Sequence, residues 1–137
     1  MDLKDKIRSI PDFPIKGVLF RDVTTLLKDP EGYHALIETI ANSLSDRKVD
    51  LVVGPEARGF VIGAALAYAL NAGFVLARKP GKLPCETLKF EYGLEYGTDV
   101  LEIHKDAIQP GQKVVIVDDL LATGGTSLAT IKLVEQA

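Results

Sequence analysis

Sulfur is almost absent from this chain. Cys85 is the only cysteine among 137 residues, which excludes intrachain disulfides and every multi-cysteine metal site. A reducing cytoplasm is the simplest compartment for such a sequence. Long apolar runs are missing too: no stretch approaches the roughly 20 residues needed to cross a bilayer, and the opening MDLKDKIRSI has no apolar signal-peptide core. Excess charge of one sign is also lacking. The formal net charge of -3 gives no electrostatic reason to propose a nucleic-acid partner. A basic cluster at Arg78, Lys79 and Lys82 is local enough to suit a small anion. No internal repeat, low-complexity segment or linker interrupts the sequence, so residues 1–137 are read as a single domain.

What is present belongs to a globular protein. Hydrophobic residues make up 47% and charged residues 26%, enough apolar surface for one real core. Leu3, Ile7 and Ile10 fit one face of a short helix that Pro11 ends. A stronger helix starts with Asp29 as N-cap and Pro30 at the first helical position, then carries Tyr33, Leu36, Ile37, Ile40, Ala41 and Leu44 at helical spacing. His34 lies off that stripe and reads as a solvated side chain. Leu51 to Val53 form a buried strand closed by Gly54 and Pro55; Phe60 to Leu70 is an alanine-rich helix, and Gly73 to Ala77 another strand. Strand, helix, strand is the grammar of a parallel sheet flanked by helices, an α/β, Rossmann-like fold. Residues 86–103 differ, alternating aromatic and charged side chains broken by Gly93 and Gly97, and read as a flexible β-hairpin hood outside the main sheet. The IQPGQ turn, Ile108 to Gln112, returns the chain to the sheet.

The run VVIVDDLLATGGT, Val114 to Thr126, carries the most chemistry. Val114 to Val117 have the pattern of a strand covered on both faces, and Asp118 and Asp119 fall at its carboxyl end, where such sheets place binding groups. Thr123, Gly124, Gly125 and Thr126 then lead into a helical pattern from Ser127 to Gln136. Unpaired N–H groups at a helix start, glycines that admit close approach and threonine hydroxyls together suit a phosphate. The aspartates cannot share that phosphate, because like charges repel; they should face neutral hydroxyls, a bound metal, or both. A ribose 5-phosphate, with a vicinal diol near its phosphate, satisfies both demands. The run lacks the lysine of a Walker loop and the spacing of a dinucleotide fingerprint.

This run also resembles the signature of the type I phosphoribosyltransferases, and its LLATGGT half is most similar to that of the adenine phosphoribosyltransferases. PDFPIKGVLFRDVTTLL, VVGPEARGF, ARKPGKLP and LEYGTDVLEIHKDAI, in that order, extend the resemblance from about Pro11 to the end of the chain. It implies transfer of a 5-phosphoribosyl group from phosphoribosyl pyrophosphate to adenine, giving AMP and pyrophosphate, with Mg2+ held mainly through the phosphoribosyl substrate rather than by direct protein ligands. A homodimer is also implied.

Site residues follow from the matching positions. Asp118 and Asp119 hold the ribose diol, and Ala122, Thr123, Gly124, Gly125 and Thr126 anchor the 5-phosphate. Glu56, Ala57 and Arg58 match the pyrophosphate loop; Arg58 in that place can fork onto phosphate oxygens. Alone, Glu56 and Arg58 would read as a solvated pair on an ordinary turn. Arg78, Lys79 and Lys82 would stabilise the pyrophosphate leaving group, and a charge run there is otherwise simply solvated. Phe20 matches the ring that stacks on adenine, with backbone groups of Leu19 and Arg21 reading the purine edge; by itself Phe20 is equally a core aromatic. Glu95 and Tyr96 match the flexible catalytic loop, where the glutamate assists proton movement at the base, so Glu95 and Arg58 are the catalytic candidates.

Two departures from the family pattern accompany the resemblance. Cys85 stands where many bacterial relatives carry a basic residue, and the chain ends at Ala137, before a further strand and a segment that covers the base. A C-terminally truncated domain with reduced stability and weaker base binding is therefore expected. Two other functions share parts of this pattern. A hypoxanthine, guanine or xanthine phosphoribosyltransferase is opposed by the block LEYGTDVLEIHKDAI; a non-catalytic remnant or regulator that only binds phosphoribosyl pyrophosphate is opposed by the retention of Phe20, Glu95 and Tyr96.

Overall fold

The computed structural model describes residues 3–13, 16–17, 19–94, 97–118, 130–131 and 134–136. They fall into two compact units, Met1–Ser43 and Leu44–Ala137.

In the first unit a 3-10 turn at Leu3–Lys6 leads into strand β1 (Arg8–Ile10), which pairs antiparallel with β2 (Phe20–Asp22) in the register Arg8↔Asp22 to Ile10↔Phe20. The helix expected through Leu3, Ile7 and Ile10 is thus only one turn long. So short a helix leaves most of its backbone groups unpaired, whereas a partner strand satisfies them. Helix α1 (Thr24–Leu27) follows, then α2 (Pro30–Ser43), which starts at Pro30 as expected and stops one residue before Leu44. Asp29 caps α2: its carboxylate accepts backbone N–H groups of Glu31 and Gly32, its carbonyl accepts Tyr33 N–H at 2.8 Å, and Lys6 Nζ lies 2.5 Å away. Gly32 sits close against α1, where an added Cβ would meet Leu26 Cδ1 at 2.9 Å. His34 is exposed and pairs with Glu38 one turn on, at 3.0 Å.

The second unit is built on a parallel sheet of order β4-β3-β7, formed by β3 (Leu51–Pro55), β4 (Gly73–Ala77) and β7 (Val114–Ile116). Helix α3 (Arg58–Leu70) links β3 to β4. The strand at 51–53 runs on through Gly54 and Pro55, because both pair in register with β4, Gly54↔Leu76 and Pro55↔Ala77. Both faces of β3 are covered. On one, Gly54 lies so close to the start of α3 that an added Cβ would stand 2.6 Å from Gly59 O, and Phe74 packs edge-on to Phe60 with ring centroids 5.9 Å apart. On the other, Val53, Val75, Ala77, Leu101, Ile103 and Ile108 form the buried core, with Val114, Ile116 and Val134 packed against it.

Strands β5 (Thr87–Leu94) and β6 (Gly97–His104) form the expected hairpin as a separate antiparallel pair, in register from Thr87↔His104 to Leu94↔Gly97. Its base is not solvated. Leu101 and Ile103 are 2% and 0% exposed, so the end of the hairpin nearest the sheet belongs to the core. Val114 to Ile116 are half-buried rather than fully covered. Of the helix expected from Ser127 to Gln136, Thr130, Ile131 and residues 134–136 are described and helical; Thr130 is fully buried and Ile131 is exposed. No helix among the described residues is long and apolar enough to cross a membrane.

Candidate active site at the carboxyl edge of the sheet

Parallel register brings the predicted loops to one edge. Pro55 is level with Ala77, Val53 is level with Ile116, and Val117 N–H donates to Val53 O at 3.0 Å, which carries the ladder to the threshold of Asp118. The segments that begin at Glu56, Arg78 and Asp118 therefore all leave the carboxyl ends of adjacent strands, the place where open α/β sheets bind ligands. Asp118 is half-buried there. Asp119, Ala122, Thr123, Gly124, Gly125 and Thr126 lie outside the described residues, as do Glu95 and Tyr96 between β5 and β6.

The loop from Glu56 to Gly59 turns tightly into α3, and the Glu56–Ala57 peptide is cis. Ala57 is the N-cap of this 13-residue helix and makes no side-chain capping bond, while the Phe60 N–H donates to Ala57 O at 3.1 Å. Arg58 is the first residue of that helix. Orphan donors and the positive end of the dipole make this an anion-favouring position. Gly59 lets the helix start pack against the ends of β3 and β7: an added Cβ would meet Pro55 Cδ at 2.9 Å and Val117 O at 3.3 Å.

Glu56 is half-buried, and its carboxylate faces the loop after β4. Its Oε1 accepts the main-chain N–H of Lys79 at 2.7 Å and Arg78 Nε–H at 3.3 Å. The Arg78 guanidinium also lies over the Phe60 ring, 5.8 Å from its centroid. Arg78 is thus held by one carboxylate and one aromatic face, while Lys79 and Lys82 are exposed. A carboxylate within a loop expected to bind pyrophosphate makes sense as an anchor: by taking the main-chain N–H of Lys79 it leaves that side chain exposed, while it engages Arg78 through Nε alone.

Glu102 was not singled out by the sequence, although it lies within LEIHK. It is 5% exposed, and its carboxylate accepts Gly81 N–H at 3.2 Å and the Thr87 hydroxyl. Its main chain pairs with that of Arg78, at 2.9 Å and 2.7 Å. Sequence carries no signal for it: with Leu101 and Ile103 on the core face of β6, alternation puts Glu102 on the opposite face, where a carboxylate reads as solvated.

Leu19, Phe20 and Arg21 lie in the first unit, at and just before β2. Leu19 is 52% exposed, Phe20 opens the strand, and the Arg21 guanidinium donates to Ser9 Oγ at 2.6 Å. Asp22, next in line, is the residue missed here. Its carboxylate is 6% exposed and accepts the Thr24 N–H and hydroxyl at 2.9 Å and 2.6 Å, with Arg8 donating through Nε at 3.0 Å and through a second guanidinium nitrogen. The Thr24 hydroxyl, then Arg8, hold its pKa down to about 2. Among the described residues no group of three or more His, Cys, Asp or Glu side chains is placed to hold a metal.

Comparison with known proteins agrees with this geometry. Residues 22–137 match the model of the phosphoribosyl transferase domain. An adenine phosphoribosyltransferase of Alkaliphilus metalliredigens is 62% identical over 136 residues, covering 99% of this chain and 80% of that protein. The crystal structure of adenine phosphoribosyltransferase from Thermoanaerobacter pseudethanolicus superposes with a TM-score of 0.94 at 63% identity, covering 98% of this chain and 78% of that one. The Saccharomyces cerevisiae enzyme, solved with D-DIAB and adenine, gives a TM-score of 0.92 at 44% identity over 98% of this chain and 78% of its own. The chain belongs to the phosphoribosyltransferase family and, within it, to the adenine phosphoribosyltransferases.

Proposed function

We propose that this protein transfers the 5-phosphoribosyl group of phosphoribosyl pyrophosphate to adenine, yielding AMP and pyrophosphate in purine salvage. The observation that carries the reading is the likeness to adenine phosphoribosyltransferases along 99% of the chain at 62% identity. The shared carboxyl edge at which β3, β4 and β7 end supports it.

In this reading Asp118 and Asp119 bind the ribose hydroxyls, and Ala122, Thr123, Gly124, Gly125 and Thr126 anchor the 5-phosphate. Glu56, Ala57, Arg58, Arg78, Lys79 and Lys82 form the pyrophosphate side. Arg58 and Lys79 offset the charge that builds on the leaving group as the bond from the anomeric carbon breaks. Leu19, Phe20 and Arg21 serve adenine, and Glu95 with Tyr96 assists proton movement at the base. Much of the rate comes from bringing two substrates into line with water excluded. Residues 86–103 act as the hood of a single domain spanning residues 1–137, moving away from the base at Leu101 and Ile103, which stays in the core. Mg2+ would be held mainly by oxygens of bound phosphoribosyl pyrophosphate, as suits a hard cation, and would help to neutralise the charge on its phosphates. The protein works in the cytoplasm as a homodimer.

Incubating the chain with phosphoribosyl pyrophosphate, Mg2+ and each purine in turn, and following pyrophosphate release, tests the proposal. AMP from adenine, with no nucleotide from hypoxanthine, guanine or xanthine, is expected. A nucleotide from another purine alone, or binding of phosphoribosyl pyrophosphate without turnover, would overturn it.

A further inference from the structure

We propose that Glu102 is a positioning residue for the pyrophosphate side of the site, setting the basic turn at 79–82 on the base of the β5–β6 hairpin. The inference rests on the functional reading of that turn given above.

Lys79-Pro80-Gly81-Lys82 has proline followed by a glycine at φ +81, the arrangement of a type II turn. Nothing lies within 4 Å of where a Gly81 Cβ would stand, so the turn is held by its main chain rather than by packing. Two N–H groups do the holding. Lys79 N–H is taken by Glu56 at the end of β3, and Gly81 N–H by Glu102 on β6. The basic turn is slung between two carboxylates from different elements.

Glu102 does more than accept that bond. Its second carboxylate oxygen takes the Thr87 hydroxyl across the hairpin, and its main chain makes a bridge with Arg78 just before the turn. Leu101 and Ile103 on either side are buried in the core, so the carboxylate is delivered from a rigid base. Glu102 is 5% exposed and, among the described residues, makes no ion pair, so its burial is costly unless hydrogen bonds satisfy the carboxylate. Those bonds fix the turn at the point where Lys79 and Lys82 project outward. Because the same carboxylate also spans the two hairpin strands, displacement of the hairpin base and displacement of the basic turn are coupled.

Binding of inorganic pyrophosphate with Mg2+ by calorimetry, together with thermal unfolding, on the full chain and its variants tests this without requiring turnover. Glu102→Ala is expected to weaken pyrophosphate binding about tenfold, and Glu102→Gln, which can accept from Gly81 and donate to Thr87, to stay within about threefold of wild type. Thr87→Val is expected to weaken binding by a few-fold and keeps the test open if Glu102→Ala does not fold. In the pyrophosphorolysis of AMP, the loss is expected in KM for pyrophosphate with KM for AMP unchanged, a split that a general loss of folded protein would not produce. Wild-type affinity in folded Glu102→Ala, or in Thr87→Val when the alanine variant is unfolded, overturns the proposal, as does a wild-type chain that binds no pyrophosphate. A wild-type chain that binds pyrophosphate in a Glu102-dependent way but makes no AMP overturns the proposed transferase and supports the positioning role.

Discussion

The carboxylate of Glu56 accepts the main-chain N–H of Lys79 at 2.7 Å, joining the loop after β3 to the loop after β4 across 23 positions of sequence. The same oxygen takes Arg78 Nε–H. Glu56→Ala removes both bonds and leaves the half-buried Arg78 Nε–H without this acceptor. A stability loss of about 1–2 kcal/mol is expected, together with a several-fold rise in KM for pyrophosphate; Glu56→Gln keeps an acceptor and should show less than half of each effect. Denaturant unfolding and steady-state kinetics measure the two. An alanine variant equal to wild type in both would show that the tie is not functional.

Gly54 is the point where β3 and the start of α3 come closest. A Cβ there would lie 2.6 Å from Gly59 O and 3.0 Å from Gly59 C, both backbone atoms that cannot rotate aside. Gly54→Ala is expected to cost about 1–3 kcal/mol by overpacking and to move Arg58, which follows the same turn. Urea unfolding should report a lowered midpoint with an unchanged slope; an unchanged midpoint would contradict the close approach.

Asp22 makes stability depend on acid pH. Its folded pKa of about 2 lies below the unfolded carboxylate value, so its contribution is fully present above about pH 4 and is lost as pH falls from there toward 2. Asp29, lowered first by its hydrogen bond to Lys6, acts with the same sign. Asp22→Asn should flatten the decline of the melting temperature between pH 5 and pH 2 while lowering the plateau near neutrality, measured by thermal scans across that range. Parallel curves for variant and wild type would remove Asp22 from the account.

The base of the hairpin is core, whatever its tip does. Ile103→Ala is expected to cost about 2–5 kcal/mol, because Ile103 is fully buried among Val53, Val75 and Leu101. Lys89→Ala, on an exposed position of β5, should leave the unfolding midpoint where it is. Equal, small effects at both positions would mean that the whole hairpin is a surface appendage.

Helices α2 and α3 and most strands of the second unit were legible because their signals are local. Pro30 after Asp29 marks the start of α2, apolar residues at helical spacing mark α3, and the glycine-broken alternation after Glu86 marks the hairpin. The strand β1 was not legible: Arg8, Ser9 and Ile10 have no strand pattern of their own and become extended only by pairing with Phe20, Arg21 and Asp22. The boundary at Gly54 and Pro55 failed for a similar reason, since residues that usually end a strand are kept in it by β4.

Residue order along the chain determined which chemistry is available. The acidic pair and glycine-threonine run after β7, the Glu56-Ala57-Arg58 loop and the cations after β4 are contiguous motifs, and contiguity is what a sequence displays. Tertiary structure alone decided how those motifs are held. Glu56 reaches Lys79, and Glu102 reaches Gly81 and Thr87, through parallel and antiparallel registers that bring distant positions level. A carboxylate looks the same in sequence whether it meets water or a backbone N–H, and only the fold, by excluding water and supplying the donor, makes it an anchor.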